Sequence, residues 1–177
     1  LNIKKPAKIN YYNDYNFKKF RLKNLPYKFT LLHLDEKWFE GHYYDDFEYM
    51  NLNLKNFNKL INTINKKFKN NIVITTGRTN IKQFIKLKEV FFNEHSNNFF
   101  VSKKFLKKLV LFEKTDFRDL ECIVKRSSEI ICCEGAISHV SNAFNVKTYA
   151  LINNFNTAKF WTSHMPNLKL IKRGNIN

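Results

Sequence analysis

SSEIICCEGAISHVSNAFNVKTYALI, residues Ser127 to Ile152, carries the clearest structural signal in the chain. A short apolar run, Ile130 to Cys133, stops at Glu134-Gly135. A helical segment with His139 follows, and a second apolar run spans Thr148 to Ile152. The spacing predicts strand, tight turn, helix and strand. In open α/β sheets, ligands bind at the carboxyl ends of strands, beside helix N-termini whose free N–H groups attract anions. An acidic residue, a Gly and a His at such a turn suggest a phosphate-bearing ligand.

The same alternation extends outward. Tyr27 to Leu34 and Asn71 to Thr76 read as buried strands. Between them, Phe57, Leu60, Ile61, Ile64 and Phe68 recur at helical spacing within Leu54 to Phe68, with Lys and Asn on the outer face. Ile81, Phe84, Ile85 and Val90 give a helix within Thr79 to Phe92. Leu109 to Phe112 reads as a third strand, and Thr115 as the N-cap of a helix running to about Arg126. Leu168 to Ile171 closes the sheet. Strands alternating with helices predict an α/β protein with a parallel sheet and helices on both faces. Right-handed crossovers gather the loops 35–50, 76–79, 113–115 and 134–137 on one edge. Residues 1–27 are basic and lack clean periodicity; they read as a linker or lead-in segment, with the domain spanning 28–177. No internal repeat is seen.

Bulk properties narrow the class. A chain of 177 residues, 44% of them hydrophobic, supports one ordinary domain with a real core. With only 4 Gly and 3 Pro, collagen-like or low-complexity character is excluded. No apolar run approaches the ~18 residues of a membrane span. The chain starts at Leu1 with no signal-like region after it, and we read it as a fragment. Net charge is +16, unevenly spread: about +7 over 1–30, about +6 over 61–90 and about −3 over 31–60. Such charge fits a solvated Lys-rich surface, nucleic acid or an anionic membrane. The three thiols, Cys122, Cys132 and Cys133, show no metal-binding spacing and read as reduced, buried groups of a cytosolic protein. Adjacent Cys132 and Cys133 on a strand point to opposite faces.

Several residues at the predicted ligand edge carry chemistry. Gly135 and Ala136 let a phosphate approach the backbone, and His139 lies one helical turn further in. Glu134 stands where ribose hydroxyls would donate. The same residues also fit a capping Glu and a core or surface His. Lys37-Trp38 offers either a phosphate-binding point charge or a solvated Lys beside an anchoring Trp. Thr76-Gly77-Arg78 ends the second strand, with Gly77 serving the turn and Arg78 facing a ligand. His33 reads as a strand histidine. The acidic cluster Asp35, Glu36, Glu40, Asp45, Asp46 and Glu48 matches no EF-hand spacing and reads as solvated. Phosphate loops of the GxxxxGK[ST] type, GxGxxG and GxSxG are all absent.

The stretch Lys114 to Ile152 resembles the C-terminal domain of glycosyltransferase family 9, the heptosyltransferase-like enzymes. Thr115, Phe117, Asp119 and Leu120 fall on that family's T-x-L-x-E-L pattern. Glu134, Gly135, Ala136 and His139 occupy the places of Asp, Ser, Gly and His in its D-S-G-x-x-H pattern. Ala143 and Leu151 fit the helix and strand that follow, whereas Thr148 stands where Pro is usual. Lys37-Trp38 and Thr76-Gly77 are similar to features after its first two C-domain strands. These departures mark a divergent branch. The resemblance implies one half of a GT-B fold: a Rossmann-like domain that binds the nucleotide-sugar donor, facing an N-terminal acceptor domain absent here. It further implies an inverting, metal-independent transferase with no cofactor, acting on a glycan or lipid-linked acceptor in cell-surface polysaccharide or lipopolysaccharide synthesis. Its place would be the cytoplasm, at the inner face of an anionic membrane. A non-catalytic nucleotide-binding module and a basic nucleic-acid-binding protein are the alternatives.

Overall fold

A computed structural model describes residues 24–39, 52–77, 80–96, 98–105, 108–152 and 154–172. The centre of the fold is β1 (Phe29–Leu34), whose six residues are all buried. A strand covered on both faces does not alternate apolar with exposed polar residues: FTLLHL is apolar except for Thr30 and His33, which are buried and hydrogen-bonded to Glu129 and Thr75. The other strands are β2 (Asn71–Thr76), β3 (Phe92–Ser96), β4 (Phe99–Ser102), β5 (Leu109–Phe112), β6 (Glu129–Cys133), β7 (Thr148–Ile152) and β8 (Leu168–Lys172). They form one eight-stranded sheet in the order β3-β4-β5-β2-β1-β6-β7-β8. Every pairing from β5 to β8 is parallel.

Among the described residues five α-helices link the strands: α1 (Leu54–Phe68), α2 (Lys82–Phe91), α3 (Phe117–Arg126), α4 (Ala136–Ala143) and α5 (Phe155–Thr162). The core is split by the sheet. One cluster joins Leu32, Leu34, Ile72 and Ile74 to Phe57, Ile61 and Ile64 of α1 and Phe84 and Leu87 of α2. The other joins Phe29, Leu31, Val73 and Val110 to Ile123 and Val124 of α3 and Ile137 and Val140 of α4. Cys132 belongs to the second cluster and Cys133 to the first, as the pleat requires. None of the three cysteines is in a disulfide. The Rossmann-like architecture expected from the sequence is therefore present.

Three local features differ from the sequence reading. The sheet is not wholly parallel: β3 and β4 form an antiparallel hairpin, and β4 runs antiparallel to β5. The hairpin escapes pattern reading because β3 follows α2 without a loop and exposes Asn93, Glu94 and His95 at an edge. Asn98, at φ 58°, supplies a left-handed residue before β4, a conformation Asn tolerates better than most residues. Next, the N-cap of α3 is Asp116, not Thr115: its Oδ1 accepts from the Asp119 N–H at 2.7 Å. Finally, α5 has no apolar stripe to announce it, since Ala158 is its one buried residue. The predicted lead-in segment up to residue 23, Arg78, and the acidic residues Glu40, Asp45, Asp46 and Glu48 lie outside the described residues.

Candidate functional site

The strand order places a topological switch between β1 and β6. From β1 the chain crosses to β2 on one side; from β6 it crosses to β7 on the other. Adjacent parallel strands whose connections leave in opposite directions open a crevice at their carboxyl ends. The segments that follow β1 and β6 are Asp35 to Phe39 and Glu134-Gly135.

After β1 the chain makes a 3₁₀ turn, Glu36–Trp38, capped by Asp35, whose Oδ1 accepts from the Lys37 N–H at 3.2 Å. Trp38 is fully buried in the α1/α2 layer. The turn is thus pinned from below by an indole and from within by a carboxylate, and Lys37 is left half-buried on the crevice side. Its Nζ donates to the Glu134 carbonyl, bridging the ends of β1 and β6.

Gly135 is the N-cap of α4 and offers no side-chain cap. Asn53, Asp116 and Asn154 do cap α1, α3 and α5. The α4 terminus therefore presents its backbone N–H groups without a side-chain acceptor, next to an ammonium group. At φ 158° and ψ −162°, Gly135 holds a conformation that is essentially glycine's alone. A Cβ there would also lie 3.3 Å from Lys37 Nζ. Small buried residues seat the helix: Ser138 and Ser141 face the sheet, and Ser138 Oγ lies 3.9 Å from Cys132 Sγ.

On the neighbouring strand ends, Thr76 is buried and Gly77 donates its N–H to the Leu34 carbonyl at 3.2 Å. A Cβ on Gly77 would meet Asp35 Cα at 3.9 Å, an ordinary contact. His33 and Thr75 pair across β1 and β2, with Nδ1 and Oγ1 2.9 Å apart. Burial holds the His33 imidazole down to about 4, so it is neutral near pH 7. Burial likewise pushes the Cys132 thiol up to about 12, which removes it as a nucleophile.

Of the residues singled out in the sequence, Lys37, Glu134 and Gly135 come together directly, and Ala136 is exposed beside them at the start of α4. Thr76 and Gly77 lie at the end of β2, next to β1. His139 is exposed on α4, its ring 5.9 Å from that of His164. The sequence places Asp35 only in a solvated acidic cluster, whereas in the fold it caps the turn that carries Lys37. Its role in the turn has a sequence signature after all: an Asp directly after an apolar strand is a favoured turn former. Among the described residues no three His, Cys, Asp or Glu side chains gather as metal ligands.

Neither a protein-family model nor a curated protein sequence matches the chain. Solved structures do. The UDP-GlcNAc 2-epimerase of Methanocaldococcus jannaschii aligns over 82% of this chain and 35% of its own, at 15% identity and a TM-score of 0.53. The UDP co-structure of MnaA from S. aureus aligns over 93% of this chain and 38% of its own, at 12% identity and a TM-score of 0.54. The chain thus spans little more than a third of these proteins. The similarity shows a Rossmann-like fold of the GT-B type.

Proposed function

We propose that this chain is the donor half of a glycosyltransferase, binding a nucleoside-diphosphate sugar at the carboxyl ends of β1 and β6. The observation that carries the reading is Lys37, poised over Gly135 at the uncapped start of α4 and bound to the Glu134 carbonyl. A diphosphate entering the crevice would take the ammonium from that carbonyl and accept from the N–H groups of α4. Both interactions strengthen as the sugar departs and charge builds on the leaving phosphate, so they favour the transition state over the ground state. The Glu134 carboxylate would accept from the nucleoside's hydroxyls. His139, one turn further along α4, would act on the outer side of the donor. No base is assigned within this chain, since deprotonation of the acceptor belongs to a facing domain. The family 9 resemblance supports transfer to a cell-surface glycan.

A second reading, a nucleotide-sugar epimerase, is favoured by the likeness to the UDP-GlcNAc 2-epimerase of Methanocaldococcus jannaschii. Calorimetric titration with ADP, UDP and GDP tests the shared part of both readings. We expect saturable binding of one nucleotide, weakened about tenfold by Lys37→Ala. Absence of binding to a folded chain, or full retention in Lys37→Ala, overturns the site. Once the facing half is supplied, release of nucleoside diphosphate supports transfer. Inversion within an intact nucleotide sugar supports epimerisation.

A further inference from the structure

The 3₁₀ turn after β1 carries two opposite charges side by side, Glu36 and Lys37, and each reaches a glycine of a different neighbouring strand. Strand order sets this up: β1 lies between β2 and β6, and Gly77 and Gly135 come just after the carboxyl ends of those two strands. A Cβ on Gly135 would lie 3.3 Å from Lys37 Nζ, and a Cβ on Gly77 would lie 3.9 Å from Glu36 Oε2. The buried Trp38 and the Asp35 cap fix the turn between them. Lys37 is turned toward β6, where it donates to the Glu134 carbonyl. Glu36 stays on the β2 side. It is half-buried, and among the described residues its carboxylate has neither a hydrogen-bond nor an ion-pair partner. The ligand edge thus has a cation over one end and an open acceptor over the other.

We infer, resting on the donor-site reading proposed above, that Glu36 accepts hydrogen bonds from the sugar hydroxyls of the donor and that this sugar carries no acid group. A nucleoside-diphosphate sugar is linear, so the two ends leave the diphosphate on opposite sides. With the nucleoside at Glu134 over β6 and the diphosphate at Lys37, the sugar continues over β1 toward β2. Two strand spacings, about 10 Å, separate β6 from β2. At β2 the sugar meets Gly77, which has no side chain to fill the space a ring would take, and Glu36 beside it. An ionised carboxylate only accepts hydrogen bonds, and it repels phosphate. Hydroxyl groups are therefore its partners on this ligand. The same charge selects among sugars: a uronate would set a second carboxylate against Glu36, whereas a neutral hexose presents donors to it. A divalent cation bridging Glu36 to the diphosphate is the competing role, and it predicts a different pattern of losses.

The test is calorimetric titration of the full chain, in EDTA, with whichever of ADP, UDP and GDP binds and with its glucose, N-acetylglucosamine, mannose and glucuronate conjugates. Glu36→Gln keeps the shape of the side chain and removes its charge. We expect this change to weaken the tightest neutral conjugate about tenfold and to leave the bare nucleotide within about twofold. The glucuronate conjugate should bind more tightly to Glu36→Gln than to the wild type. Gly77→Val, which fills the space beside Glu36, should also weaken the neutral conjugate and spare the nucleotide. Circular dichroism checks that both variants fold. Four results overturn the assignment while the donor site stands. They are equal weakening of nucleotide and conjugate, wild-type binding of the neutral conjugates by Glu36→Gln, no gain for glucuronate, and a loss that appears only when Mg²⁺ replaces EDTA. Absence of nucleotide binding by the folded wild-type chain is a different failure: it removes the donor site itself, and the role of Glu36 with it.

Discussion

At the scale of the residue, the two glycines at the ligand edge make different demands. Gly135 combines a glycine-only backbone with a 3.3 Å approach to Lys37 Nζ, whereas Gly77 has ordinary space around it. Gly135→Ala should therefore cost about 1–3 kcal/mol in chemical denaturation and weaken nucleotide binding. Gly77→Ala should change stability by less than about 1 kcal/mol. His33 gives a pH dependence. Its native imidazole stays neutral down to about pH 4, while the unfolded chain titrates near 6.5. Between those values the unfolded state binds more protons, so stability is complete above 6.5 and falls as pH drops toward 4. The loss amounts to roughly 3 kcal/mol at most. Urea titrations across that range should show this slope, and His33→Gln should flatten it. An unchanged slope would mean that other groups carry the acid sensitivity.

At the scale of the element, capping decides where helices begin. Asp116 satisfies the Asp119 N–H at the head of α3, so Asp116→Ala should lower the stability by about 1 kcal/mol, with Asp116→Asn close to wild type. Thermal melts of the two variants check this, and equal losses would argue against a capping role. The same elements show what the sequence makes legible. β1, β2, β6 and β7 are apolar runs bounded by turns, and α1 has a clear buried stripe, so periodicity identifies all of them. β3 and α5 leave no pattern because most of their residues face solvent, and burial is what writes a pattern into a sequence. Glu134-Gly135 and Lys37 are legible as candidates because Glu134 directly follows a strand and Lys37 lies in the turn after one. Their meeting is not, because it depends on β1 and β6 being neighbours, and strand order is a long-range property.

At the scale of the whole molecule, a net charge of +16 on 177 residues acts against compactness through self-repulsion. Lys88 with Glu113 shows how little local pairing offsets it, since that bridge is partly exposed and worth under about 1 kcal/mol. The melting temperature should therefore rise between low and moderate concentrations of a simple salt such as NaCl. A fall would mean that paired charges outweigh repulsion.

Neighbouring Cys132 and Cys133 turn the sheet into its own stopwatch. One thiol is sealed beneath each helical layer, while Cys122 sits partly open on α3. A thiol reagent added to the native chain should modify Cys122 first and the adjacent pair only when the molecule opens. If the pair reacts together, at a rate that tracks global unfolding, both layers lift as a single cooperative unit. If one sulfur reacts well before the other, the layer above it peels away alone, and mass spectrometry of the labelled peptide would name that layer.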